Sequence, residues 1–270
     1  MPPLIYKYFG KHGVEVVEDF ELKVTPPNEF NDIFEVTPRA SAEAFSRQEF
    51  DTLMDSEAGK NWLNERLSKS KKFRRGYALL GGNRQKFYEF VVPLMPGIKQ
   101  GICEKLLDEI SKHFGLICFC DDPQHLLMWS HYSDGHKGIV IGFDPSKLNL
   151  GAIDPVSYVP RRVELNPSLQ TMDRDQMKAI ITSKSDLWKY EGEYRVMLKL
   201  SGLKKRTLKN GTIGYFHAFP PASIIKVILG FRCSFAQRIR AALTKKGSRP
   251  ALQCAKPDPN EFAVILEDEL

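Results

Sequence analysis

Leu116-Ile-Cys-Phe-Cys120 leads through Asp121-Asp-Pro-Gln-His-Leu-Leu-Met-Trp-Ser-His-Tyr132 and Ser133-Asp-Gly-His136 into Gly138-Ile-Val-Ile-Gly-Phe143. Two apolar runs of strand length enclose a segment whose Leu127, Met128, Trp129 and Tyr132 suit a short helix wedged under a sheet. Gly135 and Gly138 let the chain turn sharply into the second strand. Downstream, strands are expected at Val156 to Val159, near Glu193 to Leu200 and at Ile224 to Gly230, with a helix from Met172 to Thr182. Ser234 to Lys245 has a capping Ser and apolar residues at helical spacing (Ile239, Ala242, Leu243), and a closing strand is expected near Phe262 to Leu266.

Upstream, Leu4 to Phe9 and Phe20 to Val24 read as strands in a hairpin-like opening around Gly10 and Gly13. Pro26-Pro27 ends it, and Asn28 to Glu35 mixes turn formers with Phe30 and Phe34, as an ordered loop tacked to a core would. From Ser41 to about Lys112 the period lengthens toward the helical value, with breakers at Gly81-Gly82 and Pro93 to Gly97. The reading is an α+β fold: a mixed, mostly antiparallel sheet in a single domain over 1–270, with an inserted helical lobe from about residue 40 to 112.

At 270 residues, 42% hydrophobic and 27% charged, the chain is long and apolar enough to bury a substantial core, which excludes a disordered chain. Lys and Arg number 39 against 33 acidic residues, a net charge of +6 that helps a polyanion approach without demanding one. Basic residues bunch at Lys69, Lys71, Lys72, Arg74 and Arg75 and again at Lys204, Lys205, Arg206 and Lys209. The opening residues lack a secretory pattern, and no apolar run approaches the roughly 20 residues that cross a bilayer, so a cytoplasmic protein without a membrane partner is expected. Five cysteines without framework spacing fit free thiols in a reducing compartment.

Three polar clusters could carry chemistry. Cys118, Cys120, His125, His131 and His136 lie close in sequence, but no second pair completes a four-ligand set, so no metal is predicted. In Lys184-Ser-Asp-Leu-Trp-Lys-Tyr-Glu-Gly-Glu-Tyr-Arg195, extended backbone would put Glu191, Glu193 and Arg195 on one face. Neighbouring carboxylates repel, so one can hold a raised pKa while Arg195 keeps the other ionised; the bland alternative is a cross-strand ion pair. Tyr6 and Tyr8 share a strand face with Lys7 on the other, and Asn31, Asp32 and Glu35 follow in the loop. No P-loop, dinucleotide fingerprint, G-x-S-x-G or H-E-x-x-H is present.

The succession Tyr6-Lys-Tyr8, Phe30-Asn-Asp32, Phe34-Glu35, Cys118-Phe119, Leu127-Met-Trp-Ser-His-Tyr132, His136-Lys-Gly138, Gly142-Phe-Asp144, Trp188-Lys-Tyr-Glu191, Glu193-Tyr-Arg195 and Val227-Ile-Leu-Gly230 resembles bacterial domain-of-unknown-function family 2971 along nearly the whole chain. That family brings no established activity. A more distant likeness, in order and type, is to the three motifs of ADP-ribosyltransferases, although Lys7 stands for the usual Arg or His and no Ser-Thr-Ser follows. This likeness implies NAD as substrate, with Glu193 bonded to the ribose hydroxyl, Glu191 orienting the acceptor and His131 or Lys7 near the ribose. It further implies Tyr8 or Trp129 against the nicotinamide, and Tyr132 and Arg195 in the binding surface. Such an enzyme would suit phage defence or mobile-element conflict. Two other classes stay open: a nucleic-acid-binding or protein-binding module using the basic runs, and a nucleotide or phosphodiester hydrolase with His131 and His136 as acid and base.

Overall fold

Ile139-Val-Ile-Gly-Phe143 reads as a continuous apolar run because it is buried on both faces, and all five residues are buried. In the computed structural model, residues 2–40, 46–165, 174–245 and 249–269 are described. Eight strands form the main sheet: β1 (Ile5–Phe9), β2 (Phe114–Cys120), β3 (Ile139–Phe143), β4 (Asp154–Pro155), β5 (Glu193–Lys199), β6 (Ile224–Leu229), β7 (Ala251–Pro257) and β8 (Val264–Asp268). Their spatial order is β8-β7-β6-β3-β1-β2-β5-β4. Within this sheet β6 and β7 pair in parallel, and its other ladders are antiparallel. The fold is α+β with a mixed, mostly antiparallel sheet.

Alternate residues of the strands feed two cores. Ile5, Ile117, Ile139, Ile141, Phe143, Val196 and Val227 pack together with Ile239, Ala242 and Leu243 of the helix Ala236–Lys245. On the other side Tyr8, Cys120, Val140 and Ile228 pack with Met128 and Trp129 of the helix Leu126–Tyr132. Trp129 is fully buried and donates from Nε1 to the carbonyl of Pro123 at 2.9 Å. The turn after this helix holds Asp134, Gly135 and His136 at positive φ.

The expected opening hairpin is not formed. Gly13–Asp19 is a helix that buries Val14, Val16 and Val17, and Phe20 ends it in the left-handed conformation. Glu21–Val24 then enters a separate three-stranded sheet with Ile213–Ala218 and Lys204–Thr207. Val14 and Val16 alone would fit alternation, but Val17 breaks it and stands three residues from Val14 on one helical face, and that face packs in the first core. The sequence reading does not include the strand Ala251–Pro257 or the Lys204–Thr207/Ile213–Ala218 hairpin: Lys204–Thr207 is charged and largely exposed, and the other two strands are mostly half-buried or exposed, with no clean alternation of buried apolar residues.

The chain separates into two compact units, Met1–Glu35, Glu109–Pro160 and Thr182–Leu270 in the first and Val36–Asp108 with Arg161–Ile181 in the second. In the second unit the helices Arg47–Asp55, Glu57–Lys69, Lys71–Leu79 and Arg84–Val91 start at Ser46, Ser56, Ser70 and Asn83, whose side chains accept from backbone N–H groups of the first turn. Phe50, Met54, Phe73, Phe87 and Val91 form their core. Helix Met95–His113 leads into β2, so these helices are inserted between β1 and β2, neighbours in the main sheet. The helix expected from Met172 is described from Arg174 to Thr182; Met172, like Ser41 at the expected start of the helical stretch, lies outside the described residues. Among the described residues no helix is long and apolar enough to cross a membrane.

Gly138 precedes β3 where the backbones of β1 and β3 come closest. A Cβ on Gly138 would stand 1.8 Å from the carbonyl oxygen of Phe9, a backbone atom that cannot rotate away. Gly138→Ala is expected to destabilise the protein by about 3 kcal/mol or more in chemical denaturation; a loss under about 0.5 kcal/mol would contradict this β1–β3 packing.

Candidate functional site

Three short segments meet on one side of the first unit and carry five charged side chains out of water. Glu35 ends a loop turned by Asp32, whose carboxylate accepts from the Phe34 N–H at 2.9 Å. Lys184 sits at the centre of the strand Ser183–Ser185, opposite Tyr158 of Ser157–Val159. Glu191 ends the 3-10 turn Asp186–Glu191, and Glu193 and Arg195 open β5. All five are buried, Arg195 to 1% exposure.

The expected single row of Glu191, Glu193 and Arg195 on extended backbone is corrected in one respect. Glu191 belongs to the 3-10 turn, and Gly192, at φ +50°, swings the chain into β5 so that Glu191 and Glu193 still reach the same ammonium. A Cβ at Gly192 would lie 2.1 Å from Asp121 Oδ1, a second reason for glycine there.

Lys184 Nζ lies 3.0 Å from Glu193 and 3.1 Å from Glu35 and also pairs with Glu191. Arg195 grips Glu193 with two bonds, Nε to Oε1 at 2.7 Å and Nη2 to Oε2 at 2.9 Å, and pairs with Glu35 through the same Nη2. Tyr132 donates to Glu191 Oε1 at 2.6 Å, and the Glu193 N–H donates to Tyr158 Oη at 2.8 Å. The Phe30 ring lies 5.8 Å from the Arg195 guanidinium carbon.

Burial pushes the Glu35 carboxyl above its ordinary value, against the pull of Arg195 and Lys184. Burial acts the same way on Glu193, but Arg195 and then Lys184 outweigh it and hold this carboxyl down to about 2. Burial alone would lower Lys184, yet Glu193, Glu35 and Glu191 together raise it. Burial, then the bond to Glu191, raises Tyr132, and burial raises the Cys118 and Cys120 thiols.

A cleft of about 130 Å³ opens onto this cluster. It forms where β1 and β2 share a single register pair, Tyr6 with Cys120. Into that gap Lys7 extends its ammonium and donates to the Cys118 carbonyl at 2.8 Å. Glu35, Glu191, Glu193, Lys7 and Lys184 supply the charged lining, three carboxylates to two ammonium groups, with Tyr6, Tyr8 and Tyr132 among the aromatic walls.

Of the residues singled out from the sequence, Glu191, Glu193, Lys7, Tyr8 and Tyr132 line the cleft. Arg195 stands behind it as the partner of Glu193 and Glu35. Trp129 is in the core, edge-on to Tyr8 and stacked on His136, and takes no place in the lining. His131 is exposed and also outside the lining. Lys184 also lines the cleft, and nothing in Ser183-Lys-Ser185 marks its lysine as buried until the three carboxylates are in place. Among the described residues no group of three or more His, Cys, Asp or Glu side chains is arranged to hold a metal ion.

The two basic runs differ. Lys204 and Arg206 are spent on Glu21 and Asp19. Lys69, Lys71, Lys72, Arg74 and Arg75 are exposed, although Lys69 pairs with Glu65 and Arg74 donates to the carbonyls of Leu67 and Ser68.

Removing Arg195 would leave three buried carboxylates sharing the single ammonium of Lys184. Arg195→Met is expected to destabilise the protein by about 3–5 kcal/mol at neutral pH. Because Glu193 is held below its ordinary value, its contribution is present above that value and lost as pH falls toward about 2. The variant's deficit in urea unfolding should therefore shrink on acidification; a deficit that stays constant with pH would contradict the pairing.

No curated protein and no solved structure matches the chain. Residues 128–196, which hold Tyr132, Lys184, Glu191, Glu193 and Arg195, match the model of a family described as protein of unknown function (DUF2971).

Proposed function

We propose that the cleft is the active site of an ADP-ribosyl-type transferase that takes the nicotinamide-ribosyl end of NAD. The observation that carries the reading is that three carboxylates, one held ionised down to about pH 2, face the same small cleft as Tyr6 and Tyr132. Five buried charges are seldom the most stable filling of a core, and strongly perturbed groups beside a cleft are where chemistry is sought. Three carboxylates line the cleft with two ammonium groups, and Arg195 behind them brings the charges into balance, so a pyridinium ring would be held by the carboxylate it meets and not by a net negative field. At about 130 Å³ the cleft is small beside the roughly 300–1,000 Å³ of drug-sized pockets, so it would enclose the reacting end and leave the rest of the dinucleotide outside.

In this reading the bond between the ribose C1′ and the nicotinamide nitrogen breaks, and its electron pair leaves with nicotinamide. Positive charge develops on the ribose, where the fixed negative charge of Glu193 stabilises it without reorganising. Glu191, oriented by Tyr132, receives the proton of the acceptor as its nucleophilic atom bonds C1′. Arg195 and Lys184 keep Glu193 ionised and in place. The exposed basic run Lys69 to Arg75 supports a second reading, nucleic-acid binding that weakens with salt.

Purified protein incubated with labelled NAD and a bacterial extract should release nicotinamide or transfer label. Glu191→Gln, confirmed as folded by circular dichroism, should lower that rate about a hundredfold or more. If neither protein consumes NAD, the transferase reading fails.

A further inference from the structure

A second cavity, of about 450 Å³, lies where the three-stranded sheet meets the end of the main sheet. The two are joined there by the bridge between Thr25 and Leu116. Close packing fixes the junction: a Cβ on Gly115 would stand 2.8 Å from Val24 Cγ1 and 3.0 Å from Leu200 Cδ2. Two register pairs place the lining. Lys199 stands opposite Phe114 across β5 and β2, and Lys205 stands opposite Tyr215 in the smaller sheet. Lys112 and His113 complete the lining, and among the described residues no carboxylate lines the cavity.

Not all these cations are equally available. Lys112 pairs with Glu109 at 2.6 Å and, with His113, closes the last turn of the helix Met95–His113, where positive charge offsets the helix dipole. Lys199 and Lys205 are exposed and have no carboxylate partner among the described residues; Lys205 only caps the Tyr215 ring at 5.8 Å. The neighbouring Lys204 and Arg206, by contrast, are already neutralised by Glu21 and Asp19. Two unpaired ammonium groups on separate strands therefore face one cavity with a backing of further positive charge.

We propose that this cavity binds the phosphate groups of a nucleotide-sized ligand, with Lys199 and Lys205 as the principal contacts. The ammonium groups are flexible point charges suited to a diphosphate. The volume admits such a group with part of what it is attached to. The site is separate from the carboxylate-lined cleft and does not depend on the chemistry proposed there.

The test is isothermal titration calorimetry of the full chain with ADP, pyrophosphate and adenosine. ADP and pyrophosphate should bind saturably and more weakly as salt rises, while adenosine should not bind. Lys199→Ala with Lys205→Ala changes two exposed residues, and the double variant should keep its circular dichroism and lose about tenfold or more in affinity for both anions. Glu191→Gln, in the other cleft, should leave that binding unchanged. Tighter binding of ADP than pyrophosphate would assign the phosphate to a nucleotide; equal binding would assign the site to a free diphosphate. Absence of saturable heat at millimolar anion, or binding that survives the double substitution, overturns the proposal.

Discussion

Arg195, Lys184 and the carboxylates of Glu35, Glu191 and Glu193 form one buried charge network, and the local geometry of three chain segments serves it. Each charge alone would be far too expensive to remove from water; together they are tolerable because every carboxylate meets at least one cation within ion-pair distance. The Asp32 turn delivers Glu35, the Tyr158–Lys184 pairing delivers the ammonium, and left-handed Gly192 lets two glutamates two residues apart converge on it. A well-packed apolar set of the same size would serve stability at least as well. The network is better understood as a fixed electrostatic environment beside an opening.

That opening is a defect in sheet pairing put to use. β1 is fully laddered to β3 but touches β2 at one register pair, so the carbonyl of Cys118 takes its hydrogen bond from Lys7 Nζ. Beside the opening, Trp129 and the helix Leu126–Tyr132 close the second core, and the helix holds Tyr132 against Glu191. Packing thus links the densest aromatic segment of the chain to the charge network through one hydroxyl.

Much of the main sheet was legible, because Ile117, Val140 and Ile141 lie in short apolar runs, and Val196 and Val227 in runs bordered by Arg195 and Lys226, of the length and β-branched content a buried strand accommodates. The helix Gly13–Asp19 was not, since at seven residues it is too short for the helical pair Val14 and Val17 to stand out beside the alternating pair Val14 and Val16. Of the cleft, Glu191, Glu193 and Arg195 were readable from their spacing, although the spacing works through Gly192 and not through a continuous strand. Lys184 was invisible because its burial is created by residues 149 positions away at Glu35 as much as by its neighbours, a separation given by 184 minus 35. His131 and Trp129 looked alike in sequence, polar-aromatic residues in one short helix, and the helix period sends one outward and the other into the core.

If the network exists to bind and polarise a cationic ribosyl group, the cleft should take nicotinamide riboside itself. The most direct measurement is a nuclear magnetic resonance titration of the protein with nicotinamide riboside, following backbone amides throughout the chain. The account predicts saturable shifts centred on Tyr6, Asn31, Tyr132, Glu191 and Glu193, which border the cleft. Shifts confined to other parts of the chain, or none at saturating ligand, would contradict it and leave the buried charges as a structural feature of the sheet edge.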